Sequence, residues 1–352
     1  LLTPATQLPQ FLAPSVSERD LPAGVRLVRV TNNLRAGVAR RLVSRSNENI
    51  EQAAEAFLSN APLHGIDLRN AYATIEGESA SPRVREVCLV VLGSGRTASL
   101  FLSENAGKSA PRSGKLDAST IERALCTLAA TNTIAREFAS EVALFQSLPD
   151  PAESSHAQAL EGAGFASICT LLYMRRAPRV NDRIARPAMP LPEGVEIVPV
   201  KDLPPNQANS MLIEAMQQSY VATLDCPELC GLRATADILQ SHRATGTFDA
   251  SLWWLVLHNK QPAGCAFFSL CPAQRMVELV YLGLSQPLRG KGLGKHLLHL
   301  GVHTSSCLQQ SWPMACAVDV RNVAARTLYE RDGFTGFAQR AAYVKPCTAC
   351  NL

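Results

Sequence analysis

The sequence predicts an α/β (α+β) chain built from two tandem domains, and three observations support this. A strand, a glycine-rich turn and a helix start follow one another over 278–295. A proline-rich stretch at 179–193 divides the chain. The strand and helix signals before that stretch come in the same order as those after it, and each series runs into a Gly-Phe pair, Gly164-Phe165 and Gly333-Phe334. At 352 residues the chain also exceeds one ordinary core.

Residues 1–22 are rich in proline and are expected to be extended. In the first domain, 23–178, Val84–Val91 and Thr97–Ser103 read as strands around a Gly93-Ser94-Gly95 hairpin turn. Asp117–Asn132 reads as a helix capped near Asp117 or Ser119. Glu141–Leu148 is a strand, Ser154–Leu160 a helix and Ala166–Met174 a strand. The second domain, 194–346, begins with a strand at Val195–Val200 and a helix at Pro205–Tyr220. An irregular, partly helical excursion follows over Thr223–Gly246. Ser251–His258 and Ala263–Leu270 pair across Asn259-Lys260-Gln261-Pro262, and Val277–Leu284 is the fourth strand. After the glycine-rich turn comes an amphipathic segment, His296 to His303. A short strand from Met314 then leads to Asn322, a plausible cap for a helix over Val323–Arg331 that Gly333 ends. Residues 347–352 form a tail.

The turn reads Arg289-Gly290-Lys291-Gly292-Leu293-Gly294-Lys295. Glycines let backbone N–H groups approach a ligand, and a helix start adds unpaired donors and a partial positive charge. Arg289, Lys291 and Lys295 carry the same sign, so the segment suits a pyrophosphate. Two other phosphate loops fail. The dinucleotide fingerprint would need a third glycine where Lys295 or Leu297 stands. The nearest Walker-like stretch, Gly107 to Lys115, has the wrong spacing and continues into Leu116. A glycine-rich turn alone can simply join a strand to a helix, and a lone Tyr329 can simply pack its ring on the sheet.

Taken together, the two segments resemble the GNAT acyltransferase superfamily. Its pyrophosphate motif, [Q/R]-x-x-G-x-[G/A], is met in full by Arg289-Gly290-Lys291-Gly292-Leu293-Gly294. Its following strand and helix carry an Asn, a small-residue run, a Tyr and a terminal Gly-Phe, as do Asn322, Ala324-Ala325, Tyr329 and Gly333-Phe334 here. The resemblance covers roughly 194–346 well and is greatest to the tandem-domain mycothiol synthases, through Glu278, Tyr281-Leu282-Gly283-Leu284 and Asn322-Val323-Ala324-Ala325. It implies two GNAT-like domains, each a mixed, mostly antiparallel central sheet flanked by helices. It implies acetyl-CoA as acyl donor and an N-acetyltransferase acting on a primary amine by direct attack in a ternary complex. Glu278 would be the general base and Tyr329 would protonate the departing sulfur. Leu282 and Leu284 would bond pantetheine through their main chain. Arg289, Gly290, Lys291, Gly292, Leu293, Gly294 and Lys295 would hold the pyrophosphate, with Asn322 and Ala325 also on the cofactor side.

A Glu inside an apolar strand is costly to bury without a partner, and burial raises its pKa toward a value useful in a base. The same residue can equally be a rim Glu on a solvated strand face. In the first domain, aligning the Gly-Phe pairs puts Leu160 where Tyr329 stands and Glu153 where Asn322 stands. The turn containing Lys108, Pro111 and Gly114 has no G-x-G. The N-terminal copy is therefore expected to keep the fold and lose the chemistry, leaving one CoA site per chain.

Eleven cysteines, most of them inside apolar patterns such as Cys88, Cys126, Cys169, Cys265 and Cys316, suggest a reducing, cytoplasmic setting. Cys347 and Cys350 form one CxxC with no second pair at ligand spacing, so no metal is expected. His296, His299 and His303 share a helix face that reads as solvated, with no carboxylate foreseen beside it. Cys226 has no base beside it in sequence and is a poor candidate for an acyl carrier. Net charge is +4 and neither half is a basic block, so nucleic acid is not an expected partner. No apolar run approaches ~20 residues and the first residues lack the pattern of a secretory signal, so no membrane partner is expected either. The acceptor stays open among a small metabolite amine, a sugar amine and a protein N-terminus, with a small molecule expected. The rival from another class is a CoA-binding regulatory or scaffold protein without turnover.

Overall fold

The computed structural model describes residues 10–44, 49–78, 82–104, 116–184, 190–309 and 311–347. Lys108, Pro111 and Gly114, part of the 179–193 linker, the first nine residues and Cys350 lie outside them. The described residues form two compact units, and the N-terminal one is not contiguous in sequence. The C-terminal unit gathers described residues within 170–339; the N-terminal unit gathers described residues within 10–169 together with 340–347.

The N-terminal unit begins with β1 (Val25–Arg29), α1 (Arg35–Leu42), α2 (Ile50–Asn60), β2 (Ala71–Glu76), β3 (Arg83–Gly93) and β4 (Thr97–Leu102). It continues with α3 (Ala118–Glu137), β5 (Leu144–Ser147), α4 (Ser154–Gly162) and the start of β6 (Ala166–Arg176). Asp117 caps α3 by accepting the Thr120 N–H, as the sequence suggested. Strands β1 to β4 are antiparallel neighbours in order, and β4 and β5 run parallel. Cys88, Val90, Ala98, Leu100, Phe145 and Leu160 pack in its core.

The C-terminal unit holds the rest of β6, then β7 (Val195–Pro199), α5 (Pro205–Tyr220), α6 (Thr235–Arg243), β8 (Trp253–His258), β9 (Gln261–Cys271) and β10 (Met276–Leu284). α7 (Leu293–Leu308), β11 (Met314–Asp319), α8 (Val323–Arg331) and β12 (Thr335–Pro346) complete the chain. Strands β7 to β10 are antiparallel neighbours in order, and β10 and β11 run parallel. Each unit is thus a mixed, mostly antiparallel sheet with helices, as the sequence predicts.

The last strand of each sheet departs from the expected contiguous ranges, 23–178 and 194–346. In the C-terminal unit β11 pairs antiparallel with Leu171–Arg176 of β6. In the N-terminal unit β5 pairs antiparallel with Tyr343–Pro346 of β12. Both strands are 11 or 12 residues long, long enough for each to be divided between the two units. Among the described residues, no helix is long and apolar enough to cross a membrane.

Candidate active site

β10 and β11 pair in parallel at two positions, Val277 with Met314 and Glu278 with Ala315, and then part. Glu278 is therefore the last paired residue on β10. A register shift between Leu279 and Tyr281 follows at once, the mark of a bulge, which bends a strand and re-aims its side chains. Main-chain groups of β10 beyond Glu278 have β9 on one side and no strand on the other. That is the geometry an extended ligand needs to add itself as a strand.

Glu278 is half-buried, and burial raises its carboxyl pKa. The Cys271 thiol donates to its Oε2 at 3.8 Å. Ser269 stands directly across from Glu278 on β9, on the same sheet face, and its buried hydroxyl has no hydrogen-bond partner. Tyr329 is buried on α8, its ring 5.6 Å from that of Phe334. Burial drives its hydroxyl pKa well up, with the neighbouring Cys316 and Asp225 adding to the rise, so the proton is held at neutral pH. Burial raises the pKa of the Cys316 thiol on β11, with Asp225 and Glu278 adding to the rise.

The glycine-rich turn leads straight into α7. Gly292 has φ +82° and is the residue just before the helix, a left-handed position that a side chain strains. The N–H groups of Leu293, Gly294 and Lys295 lie in the first helical turn, where the helix offers them no acceptor. Lys291 and Lys295 are exposed beside them. Leu293 has a buried side chain, so only its backbone can serve a ligand.

The Arg289 side chain is engaged by the protein's own backbone. Its guanidinium donates to the carbonyls of Leu284 (3.0 Å), Ser219 (2.9 Å), Val221 (2.8 Å) and Ala222 (2.7 Å). It caps the C-terminal end of α5 and ties it to the end of β10, where a cation offsets the helix dipole and satisfies the last carbonyls. The same contact uses the Leu284 carbonyl, leaving its N–H for a ligand. Asn322 and Ala325 also bond each other: the Asn322 side chain accepts the Ala325 N–H at 3.2 Å, capping α8. The helical histidines are less solvated than expected. His299 Nε2 lies 2.9 Å from the Asp332 carboxylate, and His303 Nδ1 lies 3.3 Å from the Asp182 carbonyl oxygen. His296 is partly buried, which lowers its pKa.

Other side chains on the Glu278 face were not foreseen. Phe267 opposes Tyr281 across the β9–β10 pair. The Tyr281 ring stacks on His242 of α6 at 5.3 Å and meets Tyr220 of α5 edge-on at 6.3 Å, while its hydroxyl pairs with Ser219 at 2.6 Å. The Tyr220 hydroxyl and His242 Nε2 are both buried without a hydrogen-bond partner. Burial, aided by the Arg233 charge, pushes the His242 pKa down to about 4, so its ring is neutral at pH 7. The signal available in sequence was alternation: Phe267, Ser269 and Cys271 share one face of β9, and the rest followed only from knowing what covered it.

Residues 219–334 match the acetyltransferase (GNAT) family. This span includes Glu278, the glycine-rich turn and Tyr329. Over 146 residues the chain is 29% identical to a mycothiol acetyltransferase from Streptomyces griseus, spanning 41% of this chain and 44% of that one. The chain's match thus spans less than half the length of this curated relative. In three dimensions it resembles a GCN5-related N-acetyltransferase from Sphaerobacter thermophilus, with a TM-score of 0.53 and 16% identity over 93% of this chain and 97% of the other. It also resembles the glucosamine N-acetyltransferase region of a fungal multi-domain β-N-acetylglucosaminidase, with a TM-score of 0.52 and 12% identity over 92% of this chain and 38% of the other. Residues 219–334 are thus similar to the acetyltransferase (GNAT) family, and the chain as a whole has a tandem-domain fold that resembles the GCN5-related N-acetyltransferase and the mycothiol acetyltransferases.

Proposed function

We propose that this chain is an acetyl-CoA-dependent N-acetyltransferase whose CoA site lies in the C-terminal unit only. The observation that supports the reading is that Glu278 is the last paired residue where β10 and β11 part, on the strand whose far end leads through the glycine-rich turn to the unpaired N–H groups of the α7 start. The backbone N–H groups from Gly290 to Lys295 hold the pyrophosphate, with Lys291 and Lys295 adding charge. Main-chain groups of Leu282 and Leu284 bond the pantetheine arm, and Arg289 acts by fixing the end of β10. Asn322 acts by capping α8 and so orienting Tyr329.

The acceptor nitrogen attacks the thioester carbonyl carbon. Glu278 takes a proton from that nitrogen, the C–S bond breaks, and the Tyr329 hydroxyl gives its proton to the departing thiolate. The raised pKa of Glu278 makes it a stronger base than an exposed carboxylate. The raised pKa of Tyr329 keeps its hydroxyl protonated until sulfur develops charge. Both groups return to their starting states by exchange with solvent. The acceptor is a small primary amine, oriented by the unpartnered Tyr220 hydroxyl and His242 Nε2 on the Glu278 face.

The test is release of the free CoA thiol from acetyl-CoA against a panel of metabolite and sugar amines, with Glu278→Gln and Tyr329→Phe as controls. At least one amine should drive release, and both variants should slow it. Tight CoA binding with no release across the panel would leave a binding protein in its place.

A further inference from the structure

One buried hydroxyl on the Glu278 face is left over by the fold. Ser269 is the β9 residue directly opposite Glu278 on β10, and opposed side chains of an antiparallel pair have Cβ atoms about 4.5–5.5 Å apart. Cys271, two residues further along β9, shares that face, and its thiol donates to Glu278 Oε2 at 3.8 Å. The contact fixes the Glu278 side chain on the face that Ser269 occupies. Ser269 is fully buried, and its Oγ has no hydrogen-bond partner among the described residues. The chain closes over this end of the face. The Thr247 N–H bonds the Leu270 carbonyl at 2.7 Å, and a Cβ on Gly246 would lie 2.8 Å from Cys271 Sγ.

A buried hydroxyl without a partner destabilises the fold, and an alanine would fill the same place without that penalty. A serine there is explained by a polar group that arrives with substrate, and the proton chemistry says which. A primary amine poised for attack carries one lone pair and two N–H bonds. The lone pair faces the thioester carbon. One N–H faces Glu278, which takes that proton as the C–N bond forms and the C–S bond breaks. The second N–H is kept and becomes the N–H of the amide product. It needs an acceptor throughout the reaction, and Ser269 Oγ is the unused acceptor opposite the base.

We propose that Ser269 is an acceptor-binding residue, whose hydroxyl takes the retained N–H of the acceptor and so makes the site select primary over secondary amines. An N-methyl amine has one N–H only. Giving it to Glu278 leaves a methyl group against the hydroxyl, which stays buried and unpaired. The inference rests on the reading of Glu278 as general base and adds to it the residue that senses how the nitrogen is substituted.

The test measures CoA-thiol release from acetyl-CoA with glucosamine, ethanolamine and tyramine, each beside its N-methyl derivative, in the parent and in Ser269→Ala. In the parent, at least one of these primary amines should react with a kcat/KM roughly tenfold or more above that of its N-methyl form. In Ser269→Ala the primary amine loses a bond and the N-methyl form gains room, so that preference should fall to within about threefold. The variant should bind CoA like the parent and melt at or above the parent's temperature, because only an unpaired hydroxyl has gone. Three results overturn the proposal and leave the base in place: a parent that takes both amines of a pair equally, a variant that keeps the parent's preference because both amines slow alike, as the loss of a buried water would make them, or a variant that melts well below the parent. Release undiminished in Glu278→Gln, or release from none of the three primary amines, would bring down the base reading and this inference with it.

Discussion

In the C-terminal unit the last residue of β10 paired before the strands part is Glu278; in the N-terminal unit the corresponding residue of β4 is Ser99, whose hydroxyl accepts from Gln146 at 3.2 Å. The helix after the second parallel strand tells the same story. In α8 the Phe334 N–H bonds the Tyr329 carbonyl at 3.0 Å, and in α4 the Phe165 N–H bonds the Leu160 carbonyl at 3.0 Å. Asn322 caps α8 with its side chain, whereas Glu153 makes no such cap on α4. Backbone geometry is retained in both copies, while the glutamate at the parting, the tyrosine on the helix and the side-chain cap occur in one. The N-terminal copy has put its charges to structural use: Arg123, fully buried, donates to Glu86 at 2.9 Å, and Arg41 reaches the same carboxylate at 2.8 Å. A parting of two parallel strands is thus a property of strand register and survives the loss of the groups that would make it reactive.

The sharpest way to break this comparison is to attack each copy where it differs from the other. Arg123→Met should take one of two guanidiniums from the buried Glu86 carboxylate, break the Arg123 bonds to Ser119 and Ser155, and cost about 3–5 kcal/mol, read as a fall in the denaturant midpoint. A change under ~1 kcal/mol would mean the N-terminal network is incidental. In the C-terminal copy, Gly292→Val forces a branched residue into a left-handed position beside the free N–H groups. It should weaken CoA binding by roughly a thousandfold, about 4 kcal/mol, and change the melting temperature little. Parental CoA affinity in that variant would remove the basis of the pyrophosphate site.

Tyr329→Phe keeps the ring and removes the donor. Turnover should fall by roughly a hundredfold with CoA affinity unchanged, checked by steady-state rates beside titration. Glu278→Gln should flatten the acidic limb of the pH–rate profile and has a second signature in stability. The folded carboxyl pKa is raised, so the folded chain holds that proton more tightly than the unfolded chain. The stability this group contributes is full below the ordinary carboxylate range and is lost as pH rises through the folded value. The variant should therefore gain melting temperature relative to the parent at neutral pH and lose that advantage in acid. Smallest of all, Lys291→Ala should weaken CoA binding by less than about tenfold, because an exposed charge is screened by solvent.

The parts of this picture legible in sequence were those encoded locally. Pro205 to Tyr220 and Val323 to Arg331 were bounded by helix signals the chain carries on itself, and the structure has helices over those spans. Gly292 announced a turn before a helix, and Gly333 with φ +94° a helix end. The N-terminal residues Val25 to Glu76 stayed unassigned because α1 reads Arg35-Ala36-Gly37-Val38-Ala39-Arg40-Arg41-Leu42, where polar and small residues blur any stripe. The side-chain bonds of Arg289 were not legible because its partners, Ser219, Val221 and Ala222, are carbonyls some 70 residues earlier, and a backbone oxygen leaves no trace in sequence. Tyr220, Ser269 and His242 were missed for a related reason. An unpartnered buried atom is defined by what surrounds it, and its neighbours come from three separate elements.

The strand that completes the N-terminal sheet beside β5 is β12, the last in sequence among the described residues. Until residues near 343–346 leave the ribosome, β5 has no antiparallel neighbour from β12, and its edge stays open. Residue 340 follows residue 169 by about 170 positions, which at roughly 5–20 residues per second is roughly ten to thirty-five seconds of synthesis. The N-terminal unit, though made first, cannot finish first, and through that interval it presents a strand edge of the kind chaperones shield and aggregates recruit. A stop codon placed in the linker would make that interval permanent.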